Sequence, residues 1–112
     1  ILRLPPFFTL FPFTTLFRST GWGQVLADYF NDDIIIENRA MGGRSSKSYD
    51  NDGRLDRILT EMHPGDYVFI QFGINDGAEN KPERYISVED YKKLITDKYI
   101  GEVENAAEHL CL

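Results

Sequence analysis

The chain has 112 residues, 42% of them hydrophobic and 27% charged, which suits a single small globular domain. A formal charge of -6 argues against a nucleic-acid partner, whose phosphates need a basic footprint, and no stretch is long and apolar enough to span a bilayer. One cysteine, Cys111, excludes an internal disulfide and a cysteine-cluster metal site, and two histidines, His63 and His109, are too far apart to suggest zinc.

Residues 1–20, ILRLPPFFTLFPFTTLFRST, differ in kind from the remainder of the chain. Five of the eight phenylalanines lie in the first 17 residues, and the first acid is Asp28. A secretory signal peptide is the obvious reading, but there is no initiator Met and no small-residue cleavage site, and Pro5, Pro6 and Pro12 interrupt the helix such a segment forms. Residues 9–19, TLFPFTTLFRS, resemble instead the translation of a widely used sequencing-library adapter, TLFPYTTLFRS, from which only Phe13 departs. On that resemblance residues 1–20 are expected to be a non-native segment and residues 21–112 the N-terminal part of a domain.

From Gly21 the pattern becomes that of alternating elements. Trp22, Val25, Leu26 and Tyr29 can share one face of a helix over residues 24–30, which Asn31-Asp32-Asp33 ends with turn formers. Ile34-Ile35-Ile36 reads as a short buried strand. After it comes a glycine and hydroxyl loop, residues 38–48, with three readings. It is a turn made permissive by Gly42 and Gly43, or a phosphate cradle, although the spacing fits neither common glycine-rich fingerprint. Otherwise it aims a backbone N–H into an active site, where glycine admits close approach of a substrate. Ser45, Ser46 and Ser48 have no partnered base in view and are read as turn or capping hydroxyls.

Leu55, Ile58, Leu59 and Met62 recur at helical spacing, so residues 54–62 form an amphipathic helix that stops before His63-Pro64. His63 is expected to be a solvated helix-end residue. Residues 67–72 are apolar on both faces, as in a central strand of a parallel sheet, and they pair with Ile34–Ile36 through a right-handed crossover. That strand runs into Gly73-Ile74-Asn75-Asp76, placing polar groups where open α/β sheets bind ligands. Ser87-Val88-Glu89-Asp90 resembles a capping box and opens a helix bearing Tyr91, Leu94 and Ile95 on one face. Gly101 weakens or bends it before Val103, Ala106, Ala107 and Leu110 resume the stripe. His109 is read as a helix-surface residue, and Cys111 as a small core residue.

Four motifs in order then carry a family resemblance: Gly21-Trp22-Gly23-Gln24, the N-x-A-x-G-G-R-S loop from Asn38 to Ser45, the Pro64-Gly65-Asp66-Tyr67 turn, and Gln71-Phe72-Gly73-x-Asn75-Asp76. Together, between Gly21 and about Leu110, they resemble the SGNH (GDSL-like) hydrolases, particularly the rhamnogalacturonan acetylesterase group. The resemblance implies a flavodoxin-like α/β fold, a three-layer α/β/α sandwich on a parallel sheet, here truncated at both ends. It implies ester hydrolysis by a serine nucleophile on an acetylated oligo- or polysaccharide, with no cofactor and no metal. Two of the three oxyanion-hole donors map to the Gly43 N–H and the Asn75 side-chain amide. Asp76 is read as holding the loop that carries Asn75. Members of the group usually carry His where this chain has Ile74. The family's nucleophile stands in a Gly-Asp-Ser motif and its base in Asp-x-x-His; neither motif occurs in these 112 residues, and Ser19 is not the nucleophile. The chain by itself is therefore expected to be inactive. Two further classes stay open: a flavodoxin-like or nucleotide-binding module using Gly42-Gly43-Arg44-Ser45 for an anion, and a non-catalytic relative that keeps the sugar cleft.

Overall fold

The computed structural model describes residues 1–3 and 21–107, so the adapter-like residues 9–19, Ser19, His109, Leu110 and Cys111 lie outside the described residues. The chain divides into two compact units, Ile1–Ala40 with Asp66–Val68, and Met41–Gly65 with Phe69–Leu112.

In the first unit β1 (Leu2–Arg3) pairs antiparallel with β2 (Ile35–Ile36), Leu2 opposite Ile36 and Arg3 opposite Ile35. The pairing continues through Ile1 and Glu37, whose backbone groups exchange two hydrogen bonds of 2.8 Å. The helix expected over residues 24–30 is instead a pair of tight 3₁₀ turns, Trp22–Gln24 and Leu26–Tyr29. Gly21 and Gly23 disfavour an α-helical start, and the Gln24 side chain holds the Gly21 N–H at 3.0 Å. The expected apolar face is consequently open, with Tyr29 81% exposed. Gly23 stands against Asn38, where an added Cβ would come within 3.1 Å of Asn38 Oδ1. The glycine of the first motif thus makes room for the asparagine of the second. Asn38 Oδ1 also accepts from Ala40 N–H at 3.1 Å, an Asx turn that sets the direction of the chain as it leaves β2.

In the second unit α1 (Ser46–Asn51), α2 (Arg54–Glu61), α3 (Val88–Leu94) and α4 (Gly101–Ala106) surround a core of Tyr49, Leu55, Ile58, Tyr99, Val103 and Ala107. Helix α2 ends close to its expected boundary: Met62 is already extended, ahead of His63-Pro64. His63 is half-buried rather than solvated. Ser87 caps α3, its hydroxyl accepting from Asp90 N–H at 3.1 Å and donating to Asp90 Oδ2 at 2.8 Å. Between α3 and α4 the helix continues as a π turn, Ile95–Ile100, closed by Gly101 N–H on Thr96 O, five residues back. The bend expected at Gly101 is therefore a widened turn. It brings Tyr99, only 1% exposed, onto the face that also carries Val103 and Ala107. The Phe72 ring lies between Tyr49 and Tyr99, at 5.6 and 5.2 Å.

The parallel sheet and the three layers are not formed by the described residues. Ile35 and Ile36 pair with Leu2 and Arg3, not with residues 67–72, which show among the described residues a single bridge position at Tyr67. The physical reason is that an apolar run on both faces reports how much cover a strand needs, whereas the ladder that makes it a strand comes from distant residues. Here Tyr67 and Phe69 stay 60% and 55% exposed. No helix among the described residues is long and apolar enough to cross a membrane.

Candidate active site

The site lies wholly within the second unit, where the loop after Met41 meets the turn at residues 73–77. Gly43 has φ of 75°, the left-handed region that glycine enters without a Cβ penalty. This reverses the chain so that Ser45 can begin α1. Ser45 and Ser48 cap that helix reciprocally: Ser45 N–H donates to Ser48 Oγ at 2.8 Å, and Ser48 N–H to Ser45 Oγ at 3.1 Å. Ser45 and Ser48 therefore serve as capping hydroxyls, whereas the Ser46 hydroxyl, fully buried, donates to the distant Asp76 instead of closing the turn.

Asn75 and Asp76 tie the turn to the loop. Asn75 Nδ2 donates to the Arg44 carbonyl at 3.0 Å, so the amide sits one peptide from Gly43. Asp76, 5% exposed, accepts at Oδ1 from Ser46 N–H at 2.9 Å and also from the Ser46 hydroxyl. Its backbone carbonyl accepts from Ile86 N–H at 3.1 Å. Behind the loop, Tyr99 Oη donates to Ser46 O at 2.7 Å. Burial holds the Tyr99 phenol well above its ordinary pKa of 10.0, with the nearby charge of Asp50 acting in the same direction. The hydroxyl therefore remains a donor at any physiological pH.

Arg84 completes the corner, and nothing in the sequence pattern singled it out. Its Nη1 donates to Asn75 Oδ1 at 3.4 Å, and its Nη2 would lie 3.6 Å from a Cβ placed on Gly43. The turn that carries it is fastened by Lys47 Nζ, which donates to Pro82 O at 3.1 Å and Tyr85 O at 3.2 Å. Gly43, Arg44, Lys47, Ser48 and Arg84 line one open cleft of about 430 Å³. Ile74 is 96% exposed.

Chemically, the corner is a set of fixed donors. Among the described residues no oxygen accepts from the Gly43 N–H, and only one of the two Asn75 Nδ2 hydrogens is taken up by Arg44. It is a poor anion cradle. The Ser45 and Ser46 amides are directed to Ser48 and Asp76, and a carboxyl group lies beneath the loop.

Comparison with known proteins places the chain in a family. The profile of GDSL-like lipases/acylhydrolases matches residues 13–110, most of the chain. The chain belongs to the GDSL-like lipase/acylhydrolase family. A probable rhamnogalacturonan acetylesterase of Bacillus subtilis, YesY, is 42% identical over 93 residues, covering 82% of this chain and 43% of its own length. The rhamnogalacturonan acetylesterase RhgT of the same organism is 36% identical over 69% of this chain and 33% of its own. That of Emericella nidulans is 46% identical over 58% of this chain and 26% of its own. This GDSL-like chain thus spans less than half the length of these curated relatives. No solved structure matches it.

Proposed function

We propose that the chain is part of a serine carbohydrate esterase that removes O-acetyl groups from plant cell-wall polysaccharide of the pectin or rhamnogalacturonan type. The nucleophilic serine and its Asp-His pair belong to parts of the protein outside these 112 residues, and residues 21–112 form the N-terminal part of its α/β sandwich, with residues 1–20 non-native. In the reaction, the serine attacks the acetyl carbonyl, and the oxygen that becomes negative takes hydrogen bonds from the Gly43 N–H and the free Asn75 Nδ2 hydrogen. The intermediate collapses by breaking the bond to the sugar oxygen, which leaves as the alcohol with the proton that the histidine took from serine. Water then hydrolyses the acetyl-serine to acetate. Donors fixed before the reaction need no reorganisation as charge grows.

The observation that carries this reading is the 3.0 Å bond from Asn75 Nδ2 to Arg44 O, which holds the second expected donor beside the loop of the first. The membership of acetylesterases among the relatives supports the substrate class. The test is Asn75→Ala in the intact enzyme, which should lower kcat on acetylated pectin about 10²–10³-fold. An unchanged kcat would remove Asn75 from the oxyanion hole. The 112-residue chain alone should not turn over an acetyl ester; turnover that Asn75→Ala abolishes would overturn that part.

A further inference from the structure

We infer that Arg84 is a positioning residue of the oxyanion corner, fixing which way the Asn75 amide faces. The inference rests on the esterase reading for its purpose, but the geometry concerns Arg84 and Asn75 alone. A primary amide is nearly symmetric in shape, so packing cannot tell Oδ1 from Nδ2; only its hydrogen-bond partners can. Here both ends have one. Arg44 O takes an Nδ2 hydrogen at 3.0 Å, and Arg84 Nη1 donates to Oδ1 at 3.4 Å. Turned over, the amide would set oxygen against carbonyl oxygen and NH₂ against guanidinium, losing both bonds together. Arg84 is the partner that makes the wrong orientation repulsive at the outer end, since a guanidinium is an obligate donor.

The same side chain covers Gly43 from the cleft side, its Nη2 at 3.6 Å from the position a Cβ would take. One guanidinium therefore bonds the Asn75 amide oxygen and stands beside Gly43. Its own placement is rigid. Arg84 N–H and Tyr85 N–H both donate to Lys81 O at 2.9 Å, and Lys47 holds the carbonyls on either side of it. Glu83, at 3.7 Å from Arg84 Nε and largely exposed, is too loose to draw the guanidinium away.

The readout that separates positioning from mere stability is the Asn75 side-chain NH₂ in the NMR spectrum of the full 112-residue chain. Arg84→Ala should move the two proton signals towards those of a solvent-exposed asparagine side chain and speed their exchange with water several-fold, while the backbone signals of Ser46 and Tyr99 stay in place. Arg84→Lys, which keeps the charge and loses the planar fork, should fall between and guards against a variant that does not fold. Asn75 signals unchanged in both variants would overturn the inference. Because no turnover is measured, that result is distinct from a failure of the esterase reading, which the Asn75→Ala kinetics decide.

Discussion

Residues 42–48 and residues 69–74 both lead into the candidate site, and they are held in opposite ways. The loop is fastened by specific bonds: the Ser45–Ser48 cap, the Ser46–Asp76 contacts and the Tyr99 hydroxyl on Ser46 O. The other stretch belongs to no strand ladder among the described residues. Its Phe72 carbonyl is satisfied by the Tyr91 hydroxyl at 3.1 Å, its Phe72 ring sits between two tyrosines, and Phe69 and Ile74 point largely outward. The contrast teaches that the polar end of this segment is built by side chains rather than by a sheet.

Substitutions can break that comparison. The largest effect is expected at Asp76→Ala, which leaves two buried Ser46 donors unpaired and should cost on the order of 3 kcal/mol in denaturant unfolding. A loss below about 1 kcal/mol would mean that the loop is held elsewhere. Tyr99→Phe deletes a single 2.7 Å bond and should cost about 1–2 kcal/mol. It also has a pH signature. Tyr99 titrates above its ordinary 10.0 because it is buried, and Lys98 above its ordinary 10.5 because it is hydrogen-bonded to Asp50, at 2.5 Å. Each group's share of stability is therefore complete below its ordinary value and is lost as the pH climbs past its folded one. Thermal melts between pH 8 and 12 should show the wild type weakening above about 10, and Tyr99→Phe weakening less steeply. The smallest effect is expected at Ile74→His, within about 0.5 kcal/mol, because that side chain is almost wholly in solvent. A larger loss would show that the outer stretch is packed more firmly than its exposure implies.

How much was legible in the sequence depends on the range of each interaction. The end of α2 near His63-Pro64, the Ser87 cap and the serine turn at residues 45–48 depend on neighbours three or four residues away, and they were readable. The Ile34–Ile36 strand was placed, but its partner was not, because pairing is decided by residues far along the chain. Residues 24–30 kept a helical spacing that two glycines and a glutamine side chain turned into 3₁₀ turns. Asn75 and Gly43 were singled out through a family motif, not through periodicity. Arg84 lies in a polar loop with no periodicity and gave no signal, whereas Tyr99, four residues from both Ile95 and Val103, had a helical spacing that the stripe as read passed over.

The π turn at Ile95–Ile100 has a consequence for how this helix tolerates change in length. Along Tyr91, Ile95, Tyr99, Val103 and Ala107 the side chains are spaced by four, and each such step overshoots an α-helical turn by about 40°. The wider turn absorbs part of that drift in mid-helix, as one extra residue would. Removing a residue between Ile95 and Ile100 would rotate the C-terminal part of the helix by about 100° relative to the N-terminal part. The tyrosine behind Ser46 and the Val103–Ala107 seam could then no longer be buried by the same rotation. Insertions and deletions between Ile95 and Ile100 should therefore be poorly tolerated, because they turn one half of a continuous helix against the other.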